Sequence, residues 1–475
     1  MVKHREIKTT NRRKVLCIPL LGKGATNHLH KQALADSFME QDIELLFLVR
    51  EDYETLLKRL LGCRYLPYRI PEFKGWSGKA LGFLRSFRRL YPATDPWRRF
   101  FYETSLKTIS RLHGRIGIRV IYQLSRFRFL MKAAAFLEGV LYRMIQEYND
   151  LDSLDIDALL VMSVGSWAQP FDSRLTWWAY HRGLPVVHIV GNYDSLSSNG
   201  FRGFPVQKLF IWGDQMREDA YRRHDIPRDR VHPIGALRYN LLPDRESLSR
   251  DSFLWSIGFD PSAKTIVFGG SSYEYHYFEF FSAYRILKER LDTPLQLIIR
   301  VYPNKTLLDS AYLQILMDYA ATQSDVWVSV GDPNFRERQS DTDVIVIDED
   351  GLWKILNAAD VVINLFSTLA LEACIFDKPV IHMWYFLPMP RVLLQPVYYP
   401  SHDALHNRRA VDSGAVVVAR SREELVNAII RALNQPSELS IQRRKYVEHE
   451  CGTLDGKALQ RLVDLYVSHL RYESS

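Results

Sequence analysis

Ser367 and Thr368 follow the apolar run 361–364 and open a helical stretch that carries Glu372. Hydroxyls and backbone N–H groups at a helix start suit a phosphate. A carboxylate one turn further on suits a ribose diol. The alternative is a capped helix with a solvated Glu. Gly269, Gly270, Ser271 and Ser272 sit between another apolar run and a helix, where small residues let the backbone approach a diphosphate. An ordinary strand-to-helix turn would also use them. Arg300 ends the run 295–301, and Asn304 and Lys305 follow. A guanidinium there can clamp a phosphate or close a salt bridge at a strand end.

A second group lies in the first half. Gly22, Gly24 and Asn27 separate an apolar run from a helix, and His28 and His30 come next. This is close to GxGxxG, with Asn27 in place of the third glycine, and Glu51 and Asp52 follow the next run. A nicotinamide site is one reading, with an acid on the ribose. An acceptor loop with His28 as general base is another, and a packing histidine is the plainest. Asn192 and Asp194 follow the run 185–190. Asp194 is a candidate base for an acceptor hydroxyl, and an Asx turn is the alternative.

Asp341 and Asp343 precede their apolar run, so a DxD metal site would lie at the wrong end of a strand, and no metal is expected. The four cysteines are far apart and read as reduced thiols. Residues 74–148 hold fifteen Lys and Arg against four Asp and Glu, interleaved with Phe, Trp and Tyr. That pattern suits an anionic membrane face or ordinary amphipathic helices, and nucleic acid is the weakest reading.

What must position these residues is a series of buried strands alternating with helices. Apolar runs at 15–21, 43–49, 157–164, 185–190, 206–212 and 231–234 alternate with helical patterns. A second series follows at 264–268, 295–301, 344–347, 361–364, 379–382 and 415–418. Alternation of this kind predicts parallel, doubly wound sheets. The expected division is 1–242, 243–440 and a C-terminal helical segment, 441–475, that packs back on the first domain. Ligands of such sheets bind beyond the carboxyl ends of the strands, here in a cleft between two domains. Ser421 and Glu424 form a capping box for the helix after the last run.

The 475 residues are 47% hydrophobic and 25% charged, with a net charge of +7, as in a globular chain. No run reaches the roughly 18–20 apolar residues that span a bilayer. The short run 15–21 reads as a first strand rather than a signal-peptide core, which predicts a cytoplasmic location.

The stretch 356–381, with Ala359, Asp360, Asn364, Ser367, Thr368, Glu372, Ala373, Lys378 and Pro379, resembles the donor site of GT-B glycosyltransferases. The likeness is strongest to bacterial surface-polysaccharide transferases and the CDP-glycerol glycerophosphotransferase-like group. Arg300, Pro303 and Asn304 resemble that group's Arg-x-His-Pro-Asn element, and residues 192–200, 209–212, 231–235 and 455–457 add to the likeness. Tyr302 stands where that group carries histidine, which argues for sugar transfer over phosphoglycerol transfer. The resemblance covers residues 155–470 and implies a metal-independent α/β enzyme of two Rossmann-like domains, with no cofactor. It implies a nucleotide-diphosphate sugar bound by Gly270, Ser271, Ser272, Arg300, Asn304, Lys305, Ser367, Thr368 and Glu372. The acceptor, a glycan or lipid-linked molecule, would meet Gly22, Gly24, Asn27 and Asn192, with Asp194 or His28 as base. The inner membrane face is a further expected partner, in surface-polysaccharide synthesis. A CDP-glycerol-type phosphotransferase, a nucleotide-sugar epimerase of the same build and a catalytically silent lipid- or glycan-binding scaffold are the alternatives.

Overall fold

The computed structural model describes residues 13–20, 31–51, 64–69, 75–89, 112–145, 149–163, 170–197, 203, 205–244, 247–270, 275–302, 308, 310–331, 348–385 and 404–472. Long β-branched and Leu-rich runs make strands buried on both faces, as parallel sheets flanked by helices require. The first sheet contains β1 (Lys14–Leu20), β2 (Ile43–Arg50), β3 (Arg64–Tyr68), β4 (Ala158–Ser163), β5 (Val186–Val190), β6 (Lys208–Ile211) and β7 (Val231–Pro233). Its order is β3-β2-β1-β4-β5-β6-β7, and every pairing is parallel. The second contains β8 (Lys264–Gly269), β9 (Leu295–Arg300), β10 (Val326–Ser329), β11 (Val361–Asn364), β12 (Val380–Met383) and β13 (Val417–Ala419). Its order is β10-β9-β8-β11-β12-β13, also all parallel. The doubly wound sheets expected from the sequence are therefore present. In each sheet the strand order reverses beside the first strand, and that switch point opens a crevice at the carboxyl ends. In the second sheet it lies between β8 and β11, so Gly270 and Ser367 flank it.

Two strands were not legible from periodicity, and both are edges. β3 contains Arg64 and Pro67 and is mostly exposed, so it lacks the apolar run of a central strand. β10 has only four residues. The expected strand at 344–347 and the helix after Glu51 lie outside the described residues.

Helices α1 (Lys31–Met39), α2 (Gly75–Arg89), α3 (Leu112–Leu124), α4 (Arg128–Ile145), α5 (Asn149–Asp152), α6 (Pro170–Arg182) and α7 (Gln215–His224) belong to the first half. The second half adds α8 (Arg250–Ser256), α9 (Tyr275–Arg290), α10 (Ala311–Ala321), α11 (Glu349–Ala358), α12 (Leu369–Ile375), α13 (Leu405–Asp412), α14 (Arg422–Asn434), α15 (Ser440–Cys451) and α16 (Ala458–Tyr472). Ser421 caps α14 by accepting from the Glu424 amide at 3.1 Å, as the capping box predicts.

One apolar core is shared by both halves. Leu209, Ile211 and Trp212 from the end of the first sheet pack in the same cluster as Val362 and Val380 of the second. A chain of rings crosses the join: Trp212 to Tyr239 at 5.5 Å, Tyr239 to Trp353 at 6.0 Å and Trp353 to Phe376 at 5.9 Å. The chain crosses back after α15. Gly452, at φ +68°, lies where a Cβ would come within 2.8 Å of the Trp212 carbonyl, so only glycine fits the crossing. Beyond it, α16 lays Leu462, Val463 and Tyr466 on the core of the first sheet, where Tyr466 meets Phe38 edge-on at 5.5 Å. Leu462 is fully buried there. Leu462→Ala is expected to destabilise the protein by about 2–5 kcal/mol, the usual cost of emptying a buried leucine site. A lowered urea midpoint would show it, and an unchanged midpoint would mean that α16 is dispensable to the first sheet.

Candidate active site between the two sheets

The loop after β5 alternates outward and inward side chains. Asn192 and Asp194 are half-buried, whereas Tyr193, Ser195 and Ser197 are buried. The loop closes on itself: the Asn192 carbonyl accepts from the Ser195 amide at 3.1 Å, and the Asp194 carbonyl accepts from the Ser197 amide at 3.0 Å. Both turns are thus closed by backbone carbonyls.

The inward residues hold the second domain. The Tyr193 hydroxyl donates to Asn407 Oδ1 at 3.1 Å, and Asn407 Nδ2 donates to the Phe366 carbonyl at 3.3 Å. Ser197 Oγ and His406 Nδ1 are 2.9 Å apart, and the His406 ring meets Tyr193 edge-on at 5.1 Å. The carboxyl end of β5 therefore abuts the carboxyl end of β11. Burial lowers the His406 pKa, and the charge of Asp194 works against that. Tyr302 lies past the end of β9 and is 44% exposed. Partial desolvation by the surrounding protein, and then the Asp194 charge, raises its phenol pKa. Asp194 of one sheet and Tyr302 of the other thus share one electrostatic environment.

At the switch point of the second sheet, Gly269 and Gly270 leave no room for a side chain. A Cβ on Gly269 would overlap Leu369 at the start of α12, and one on Gly270 would overlap the buried Tyr277 hydroxyl. Close packing of these neighbours accounts for both glycines. Between β11 and α12, Asn364 Oδ1 accepts from the Ser367 amide at 2.8 Å, and Asn364 Nδ2 donates to Ser367 Oγ at 2.9 Å. Phe366 takes a left-handed φ of +57°, strained for a side chain of that size. Its ring lies flat on His382 at 4.2 Å, and its carbonyl is held by Asn407. Ser367 and Thr368 are left half-buried at the crevice, and Thr368 makes no side-chain cap bond.

Arg300 and Glu372 are more heavily engaged than their sequence reading allowed. Arg300 is 7% exposed, donates from NH1 to Ser329 Oγ at 2.7 Å and from NH2 to the Asp348 carbonyl at 2.9 Å. Burial lowers its pKa, opposed by Asp348 and Glu372. Its positive charge is fixed beside the crevice, with two of five N–H donors used on protein. Glu372 is 3% exposed, and its Oε1 lies 2.9 Å from Arg238 NH2 and accepts from the Tyr239 hydroxyl at 3.4 Å. No other described side chain donates to this carboxylate. Arg238 also meets Glu349 at 3.2 Å. Burial works against the Arg238 charge, but Glu372, Tyr239 and Glu349 more than offset it and raise its pKa.

Sequence reading missed Arg238, Tyr239, His406 and Asn407, and gave Asn364 no role beyond its place in the motif. Asn364 alone had a local signal, an amide three residues before Ser367 at a strand end. The others act across the domain join, which no local spacing encodes. Gly22, Gly24, Asn27, His28, Ser271, Ser272, Asn304, Lys305, Asp341 and Asp343 lie outside the described residues. Asp348 caps α11 by accepting from the Gly351 amide at 2.8 Å.

Neither a protein-family model nor a curated protein matches the sequence. Solved structures do resemble the chain. A UDP-N-acetylglucosamine 2-epimerase shares 12% identity and a TM-score of 0.54, over 98% of this chain and 97% of that one. The chain has the GT-B fold. The same GT-B architecture is seen in UDP-GlcNAc 2-epimerase from Neisseria meningitidis bound to UDP-GlcNAc, at 11% identity and TM-score 0.52, over 96% and 100% of the two chains. It is seen again in the glycotransferase of kitacinnamycin, at 11% identity and TM-score 0.51, over 97% and 99%.

Two measurements test this geometry. Arg238→Ala would strand the buried Glu372 charge and is expected to cost about 3–5 kcal/mol, read from chemical denaturation. A loss below about 1 kcal/mol would mean that the pair is not buried in solution. Burial also pushes His276 and His382 down to about 3, from 6.5. Between those values the unfolded chain binds more protons than the folded one. This contribution to stability is complete above about pH 6.5 and is lost as pH falls towards about 3. The melting temperature should therefore fall on acidification from neutral pH, and less steeply in His382→Gln. Parallel pH profiles for the two proteins would show that His382 is not held neutral.

Proposed function

We propose that this chain is a glycosyltransferase that moves a sugar from a nucleotide-diphosphate sugar to a hydroxyl of a glycan or lipid-linked acceptor. The observation that carries the reading is the abutment of the β5 loop, which bears Asp194, on the carboxyl end of β11 through Tyr193, Asn407 and the Phe366 carbonyl in a GT-B fold. Domain interfaces and switch points of this kind favour small-molecule sites. The diphosphate is assigned to the β8–β11 crevice, near Gly270, Ser367, Thr368 and the fixed charge of Arg300. Ser271, Ser272, Asn304 and Lys305 are assigned to the same subsite from the sequence. Glu372, oriented by Arg238, is assigned to the ribose.

In the proposed reaction Asp194 takes the proton of the acceptor hydroxyl as its oxygen bonds to the anomeric carbon. The bond from that carbon to the phosphate oxygen breaks, and the nucleoside diphosphate leaves with the electron pair. The Arg300 charge and the amides near Ser367 stabilise the departing anion. His28 is the other candidate base, and Gly22, Gly24, Asn27 and Asn192 are assigned to the acceptor.

A second reading, a nucleotide-sugar epimerase, is favoured by the solved epimerases among the similar structures, one bound to UDP-GlcNAc. Calorimetry with UDP, GDP, CDP, dTDP and NAD, with UDP-GlcNAc as first sugar donor, tests the donor site. Ser367→Ala with Thr368→Val is expected to weaken the preferred diphosphate at least about tenfold, the worth of one charged hydrogen bond. Asp194→Asn should bind it normally yet lose turnover. Release of nucleoside diphosphate only when an acceptor is added supports transfer, and a new sugar isomer formed without acceptor supports the epimerase. Failure of every diphosphate to bind would overturn both.

A further inference from the structure

Helices α2, α3 and α4 are amphipathic in an unusual sense: their water-facing stripes are apolar and basic. On α4 the buried side consists of Met131, Ala134, Ala135, Glu138 and Tyr142. The exposed side, at three- and four-residue spacing, is Phe129, Lys132, Ala133, Phe136, Leu137, Arg143 and Met144. On α3 the exposed stripe is Ile116, Arg119, Val120, Gln123 and Leu124, and on α2 it is Trp76, Lys79, Phe83 and Ser86. These are not marginal exposures: Trp76 is 74% exposed, Phe129 65%, Phe136 67% and Met144 71%. A helix facing water normally carries its polar residues there, and a run of large exposed apolar side chains marks an interaction surface.

Charge decides the occupant. The three helices carry nine Lys and Arg and a single carboxylate, Glu138. That carboxylate is fully buried and paired with Arg85 and Arg88. The exposed surface of these helices therefore bears cations and no counter-charge of its own. Rings and aliphatic groups interleaved with Lys and Arg fit the boundary between headgroups and acyl chains of an anionic bilayer. No helix among the described residues is long and apolar enough to cross a membrane, so the contact is with the bilayer surface.

We propose that α2, α3 and α4 form a docking face for an anionic lipid bilayer, with Trp76, Phe83, Phe129, Phe136 and Met144 entering the interface and Lys79, Arg119 and Arg143 meeting lipid phosphates. This stands apart from the assignment of the cleft and is tested without turnover. The full chain is floated with vesicles of phosphatidylcholine alone, or of phosphatidylcholine and phosphatidylglycerol at three to one. Binding is expected to the second kind only and to weaken in high salt. Phe129→Ser with Phe136→Ser and Met144→Ser should lower the bound fraction at least about tenfold, at an unchanged melting temperature. Lys79→Glu with Arg119→Glu and Arg143→Glu should do the same through the charges. Wild-type protein that stays with neither vesicle, or both variants binding as it does, would overturn the proposal. So would a wild-type dimer in solution, without vesicle binding, that the serine variant converts to monomer, because a second copy would then own this face.

Discussion

The join between the two sheets depends on a charge that cannot be left alone. Glu372 lies in the first turn of α12, beside the crevice of the second sheet, and is almost wholly withdrawn from water. An ionised carboxylate in that position needs a cation with good geometry. The cation is Arg238 of the first half, 2.9 Å away, which also holds Glu349 at the start of α11. Three elements of two domains are thereby fixed around one guanidinium. The ring chain from Trp212 to Phe376 passes through Tyr239, whose hydroxyl donates to Glu372 and whose ring lies 5.6 Å from the Arg238 guanidinium. The placement of α12, and with it of Ser367 and Thr368, follows from this lock.

The fold was legible because its central strands are buried on both faces. Runs such as 15–20 and 295–300 can only be core, and alternation with helical periodicity leaves a parallel wound sheet as the economical arrangement. β3 escaped because an edge strand is free to carry Arg64 and Pro67, whose backbone and charge a central position would reject. β10 escaped because Val326 to Ser329 is a half-exposed edge strand that ends in serine and makes no longer apolar run.

The candidate site was legible only where chemistry and local geometry coincide. Ser367 sits three residues after Asn364, and that spacing is the reciprocal amide–hydroxyl pair itself. Gly270 was noticed for the right reason, a close approach, but the approaching group is the Tyr277 hydroxyl. Arg300 was placed correctly at a strand end, yet its fork is partly spent on Ser329 and Asp348. Arg238 gave no signal. An arginine near a linker reads as surface until a carboxylate 134 positions later is known to be buried against it. The same holds for His406, whose partner Ser197 belongs to the other sheet.

The helical surface and the domain join are not independent pieces. Arg128 and Lys132 of α4 both hold Asp225, the left-handed residue that ends α7. At the other end of that helix, Gln215 donates to the Glu450 carbonyl of α15 at 2.7 Å. One turn on, Asp219 binds Arg409 of α13 at 2.6 Å. Arg409 lies on the short helix whose His406 and Asn407 grip the β5 loop. A ten-residue helix thus connects the ion pairs of α4 to the contacts that hold the β5 loop and its Asp194. α4 and the cleft are thus joined by paired charges at the carboxyl end of α7 and near its middle, and by the Gln215 amide at its start.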